Sequence, residues 1–188
     1  MIRTERLYLV PWSERHRDPF AAMNADPEVM WDFRRTLSRA ESDAKLDRYA
    51  RAHEEHGLSR WAIEDRTGVY LGYVGVLPGR ADHPLGSHHE IGWRLVHAAW
   101  GHGYATEAAR AALADAFARN GLAEILAYTA PDNLRSQAVM DRLGLMRDVS
   151  RDFRVERDDM EHWTGLVWVA RRPRQDDLSR LGGVDKFG

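Results

Sequence analysis

Two glycines flank a histidine at Gly101-His-Gly103, directly ahead of an alanine-rich run, YATEAARAALADAFARN, with the composition of a helix. A helix leaves its first four N–H groups without intrahelical partners, and a Ser, Thr, Asp or Asn cap contributes about 1 kcal/mol over alanine by satisfying one of them. Here the cap positions offer bare backbone. Glycine admits a close ligand, and unpaired amides at the positive end of a helix attract an anion. Each charge-assisted hydrogen bond contributes roughly 1.5–3 kcal/mol, so several outweigh a missing cap. The alternative is that the glycines only permit a tight turn, with Thr106 or water satisfying the amides. Two phosphate loops fail on spacing: no lysine follows, as a Walker A loop requires, and the dinucleotide fingerprint needs glycine where Thr106 stands.

Other chemistries are narrowed by composition. The 188 residues contain no cysteine, which removes disulfides, thiol nucleophiles and cysteine-ligated metal. His53-Glu-Glu-His56 lacks the spacing of the zinc motif HExxH, so no metal is expected. A net charge of -2 gives no basic field for nucleic acid. Lys45 and Lys186 are the only lysines, and the arginine excess reads as codon usage rather than a ligand site. With 44% hydrophobic and 30% charged residues and no apolar run near the ~18 of a membrane span, the composition is that of a globular chain away from membranes. MIRTERLYLVPW begins as an alternating strand rather than a secretory signal, and a cytoplasmic location is the expectation.

The elements that must position the glycine loop follow from periodicity. Residues 3–10 alternate as a strand that Pro11 ends; Ser13 and Ser38 can cap two helices, broken by Pro27 and Gly57. Runs at 60–65 and 69–77 flank Arg66-Thr-Gly68, a hairpin turn, and 88–96 extends the meander. The helix over 104–120 is followed by a strand at 124–129, a second helix from Asn133 to Gly144, and strands at 145–154 and 162–169. This β-α-α-β-β-β-α-β-α-β-β order predicts an α/β fold with a mixed sheet. One domain over 1–172 is expected, and a polar, mobile tail over 173–188.

The wider stretch, EIGWRLV at 90–96, WGHGYATEA at 100–108 and NLRSQAVMDRLG at 133–144, resembles the GCN5-related N-acetyltransferase (GNAT) family, closest to the RimJ/RimL-like branch that acetylates ribosomal-protein N-termini. The resemblance covers nearly all of the chain except the tail. It implies a mostly antiparallel mixed sheet, flanked by helices, whose fourth and fifth strands splay apart. It also implies that Gly101, His102, Gly103, Tyr104, Ala105 and Thr106 cradle the pyrophosphate of acetyl-CoA. Leu95 and Val96 would pair with the pantetheine arm, Asn133 would face that arm or the phosphates, and Arg142 the nucleotide end. Trp100 stands where the family often has Gln or Arg.

The activity so implied is acetyl transfer from acetyl-CoA to a primary amine, of a protein N-terminus or a small molecule, by direct attack in a ternary complex. Glu90 is the candidate base, with His88 and His89 in reserve. The family's usual tyrosine acid is replaced by Met140, so Ser136 becomes the candidate donor to the departing sulfur. Trp31 and Phe33 could wall the acceptor site, and Glu156, Asp158 and Asp159 could favour a cationic amine. The alternative is a CoA-binding sensor or scaffold without transfer. Either a monomer or a homodimer is compatible.

Overall fold

The computed structural model describes residues 1–157 and 160–172. Asp158, Asp159 and the tail expected to be mobile lie outside the described residues. The segment predicted as one strand over 3–10 folds instead into a hairpin, β1 (Ile2–Arg3) against β2 (Leu7–Val10), with Ile2 opposite Leu9. Thr4 makes the turn: its hydroxyl accepts from the Leu7 N–H at 3.0 Å and donates to Glu107 Oε1 at 2.5 Å. A local hydroxyl-to-backbone bond of this kind competes with strand pairing.

Helix α1 (Arg17–Ala25) follows, then α2 (Arg39–His56), whose start is a reciprocal cap between Ser38 and Glu41 and whose end is Gly57 at φ +65°. Strands β3 (Arg60–Asp65) and β4 (Tyr70–Pro78) form the expected hairpin, closed by the Asp65 carboxylate accepting from the Thr67 and Val69 N–H groups. Then come β5 (His89–Leu95), α3 (Tyr104–Asn120), β6 (Glu124–Thr129) and α4 (Leu134–Arg142). The strand predicted over 145–154 is broken into β7 (Met146–Arg147), a 3-10 turn at Val149–Arg151 and the start of β8 (Phe153–Arg157). Asp148 causes the break by accepting from the Ser150 hydroxyl at 2.6 Å and from the Arg151 N–H through its own carbonyl. The long β9 (Met160–Arg171) completes the sheet.

The strand order is β1-β2-β3-β4-β5-β6-β9-β7, with β8 on β9. Among the described residues every neighbouring pair is antiparallel except β5 and β6, which run parallel and share one paired position, Glu90 with Leu126. Beyond it the two strands diverge. These are the fourth and fifth strands when the N-terminal hairpin is counted as one. Alternation puts Val74, Val76, Ile91 and Leu95 on the face packed by α3, through Ala108, Ala112 and Ala116. The alanines let that helix lie close to the sheet. Phe20, Met23, Leu46 and Tyr49 of α1 and α2 cover the opposite face over Ala62, Tyr70 and Tyr73.

Candidate active site

The glycine loop leaves β5 through a 3-10 turn, His97–Ala99, and enters α3 with Gly101 and Gly103 both at φ +79°, a region glycine adopts without the penalty other residues meet. Gly103 caps α3 with no side-chain hydrogen bond, and the Glu107 N–H, on the Gly103 carbonyl at 3.1 Å, is the first of the helix to be paired within it. Glu107, the one acid of the first turn, does not compete for the amides. It accepts from Thr4 and from both the backbone and guanidinium of Arg6. Burial works against its charge, but those bonds outweigh it and hold the carboxyl below its ordinary value. A Cβ built on Gly101 meets nothing within 4 Å, so the space above the loop is open.

That space is one end of a cavity of about 640 Å³, into which Gly101, Gly103, Tyr104, Ala105 and Thr106 all face. Leu95, Asn133, Ser136 and Arg142 line it as well, and so do Trp31, Asp32 and Arg94. Asn133 is buried and caps α4, its Oδ1 accepting from the Ser136 N–H at 3.1 Å, which leaves Nδ2 as a donor. Trp100 lines the cavity too, its Nε1 donating to the Leu95 carbonyl at 3.0 Å and its ring carrying the Arg135 guanidinium at 4.4 Å.

Other residues singled out from the sequence stand elsewhere. His102 is outside the lining: its carbonyl accepts from Arg6, and its ring bonds the Trp100 carbonyl and stacks on Tyr104. Val96 donates its N–H to the Leu71 carbonyl and accepts from the Ala99 N–H, so its backbone is turned to β4. By alternation from Val96, Trp93 and Leu95 turn their backbone toward β6, where the strands have diverged. The sequence reading missed Trp93. Phe33 lies behind the cavity, its ring under the Arg94 guanidinium at 4.7 Å, and Met140 is buried in the core beneath α3.

Glu90 is on the α1–α2 face, outside the cavity lining, and Arg60 Nη2 donates to its Oε1 at 2.6 Å. Arg94 is bidentate on Asp32 at 2.8 and 2.9 Å and also donates to the Val29 carbonyl. Lys45 is buried among the rings of Phe20, Phe33, Tyr49 and Tyr73, 5.3–6.0 Å away, with no carboxylate in ion-pair range among the described residues. Burial lowers its basicity. Burial also opposes ionisation of Tyr73, but Lys45, Arg94 and Arg60 outweigh it and bring the phenol down to about 8. None of these internal cations was legible as part of a site. Each reads in sequence as one more arginine, or as a helix lysine.

Comparison with known proteins gives this architecture a family. Residues 6–146 match the acetyltransferase (GNAT) domain, and the chain belongs to that family of N-acetyltransferases. It is 30% identical to the uncharacterized protein YkkB of Bacillus subtilis over 144 residues, 76% of this chain and 83% of that one. It is 32% identical to the FsC-acetyl coenzyme A-N(2)-transacetylase of Aspergillus fumigatus over 152 residues, 77% of this chain but 64% of the longer fungal protein. Among solved structures, an acetyltransferase of Agrobacterium tumefaciens superposes with a TM-score of 0.75 at 26% identity, covering 91% of this chain and 94% of that one.

Proposed function

We propose that the chain transfers the acetyl group of acetyl-CoA to a primary amine, of a protein N-terminus or a small molecule, by direct attack in a ternary complex. The observation that carries this reading is the meeting, in one cavity, of the open α3 amides with Trp93, Arg94 and Leu95 at the end of β5, past its one rung to β6. The amides from Gly101 to Thr106 suit a diphosphate, and the backbone of Trp93 with the Leu95 N–H, turned toward the gap while the Leu95 carbonyl is held by Trp100, suits an amide-bearing arm that adds itself as a strand. Asn133 Nδ2 is a further donor on that path, and Arg142 a cation at its outer end.

In the reaction the amine lone pair attacks the thioester carbonyl carbon, the C–N bond forms and the C–S bond breaks. The amine proton goes, by way of water, to Glu90, which stands outside the cavity lining and whose second oxygen has no partner among the described residues. The Ser136 hydroxyl supplies a hydrogen bond to the leaving sulfur. The acceptor enters beside Trp31, on the α1–α2 side. NLRSQAVMDRLG, with its serine, supports the branch that acetylates ribosomal-protein N-termini, and the Aspergillus relative's name supports an amine nitrogen as acceptor.

A second reading, a CoA sensor without transfer, is favoured by Met140, a core residue with no proton to give. Isotopically labelled acetyl-CoA, offered with peptide N-termini and a panel of small amines, separates the two. Label on either acceptor class establishes transfer; acetyl-CoA binding with no labelled amine in any fraction favours the sensor.

A further inference from the structure

We infer that Arg60 is a positioning residue that acts through Glu90. Arg60 on β3 lies opposite Gly75 on β4, and Gly75 lies opposite Gly92 on β5, so the three occupy one row across the sheet. Neighbouring strands are about 4.8 Å apart, which puts the Arg60 backbone roughly 10 Å from Gly92. Only a long side chain spans that, and only if the row holds nothing in its way. Gly92 leaves the far end of the track empty, while Gly75, at φ +155°, lets the β3 backbone at Ser59 and Arg60 come close where a Cβ would collide with it. A Cβ on Gly92 would come within 2.9 Å of Arg60 Nη2 and 3.1 Å of its Cζ.

Along this track the guanidinium donates to the Gly75 carbonyl, to the Glu90 carbonyl at 3.2 Å and to Glu90 Oε1 at 2.6 Å. The Arg60 side chain is 7% exposed and that of Glu90 23%. One carboxylate oxygen is therefore fixed from inside the sheet while the other faces outward, at the rung where β5 and β6 part. Stability alone is a poor account of the arrangement. Buried ion pairs contribute little net stability, and glycines inside strands weaken them. An oriented carboxylate at the apex of the split is what the row obtains.

This inference rests on the reading of Glu90 as the base, and a double-mutant cycle separates the two. Glu90→Gln should lower kcat by about 100-fold or more, the usual scale of general-base catalysis. Arg60→Lys, which keeps the charge but loses the fork, should lower kcat about 10-fold with the KM for acetyl-CoA within twofold. In the Glu90→Gln background the same lysine substitution should change kcat less than twofold, because the oxygen it orients has gone. Equal fold-losses in both backgrounds would overturn the positioning role while leaving the base intact. An unchanged rate in Glu90→Gln would instead remove the base reading. Should Arg60→Lys fail to fold, Gly92→Ala crowds the guanidinium from the far end of the track with both charged residues retained, and the same non-additivity with Glu90→Gln is expected.

Discussion

Lys45 shows how one side chain sets a local electrostatic balance. Around the Tyr73 hydroxyl stand three cations, Lys45, Arg60 and Arg94, with two carboxylates, Asp32 and Glu90, paired to the arginines. Lys45 is the surplus charge, stabilised by aromatic faces and by the Tyr73 phenol rather than by a carboxylate. Replacing a buried ionic group with a well-packed apolar one is often neutral or stabilising by ~1–4 kcal/mol, so Lys45→Met should raise the melting temperature near neutral pH. The gain should shrink above pH 8. The Tyr73 phenol ionises at about 8, below its unfolded value near 10. Its ionised form therefore adds stability that is complete above the unfolded value and is lost as pH falls through 8. Lys45→Met removes the strongest of the cations favouring phenolate, so phenolate absorbance should also appear at higher pH than in the parent. A melting temperature well below the parent at pH 7 would show that the ammonium is needed for packing.

The same scale governs the loop glycines. Gly103→Val forces a β-branched residue to φ +79°, with its Cβ 3.5 Å from Arg6 Nη2, and so distorts the loop that presents the amides. Acetyl-CoA affinity should drop by at least about 10-fold, the loss of roughly 1.4 kcal/mol. Unaltered affinity by calorimetry, in a variant with native circular dichroism, would remove the loop from the phosphate site.

At the scale of elements, β5 and β6 are a pair that barely pairs. Amides of Trp93 and Leu95 face the gap, so they should exchange with deuterium quickly in the free protein and slow by an order of magnitude or more once acetyl-CoA occupies it. Gly92 and Arg94, bonded to β4, should change little. Equal protection of all four on ligand addition would argue against an added strand. This alternation also marks where sequence reading stops. The glycine loop, α3 and the Asn133 cap are legible because each is a local pattern, and so is the strand–helix–strand order around them. Val96 and Trp93 cannot be told apart without the register of β5 on β4. Arg60 is silent for the same reason: the row it crosses exists only when Gly75 and Gly92, seventeen positions apart in sequence, come side by side, and only then does Gly92 leave room for its guanidinium. The hairpin at Thr4 and the turn at Asp148 hide inside strand-like runs because a single side-chain bond decides each.

For the whole molecule, the two faces of the sheet divide the work. One carries α3 and the open amides; the other carries α1, α2 and the internal charges, and the cavity joins them at the split. A ligand that fills the split binds only the folded state. At one hundred times its dissociation constant acetyl-CoA should stabilise the fold by about 2.7 kcal/mol. For a chain of this length that is a rise of roughly 5–10 °C in melting temperature, measurable by calorimetry. Free adenosine diphosphate lacks the arm and should give less.

The single rung between β5 and β6 also makes this sheet easy to divide. A polypeptide opened at the Gly121 turn and produced as two pieces would break along the one line where the strands scarcely hold each other. The thioester, lying across that line, becomes the mortar between the pieces. Fused to the halves of a luminescent protein, they would make a complementation reporter whose light rises with acetyl-CoA.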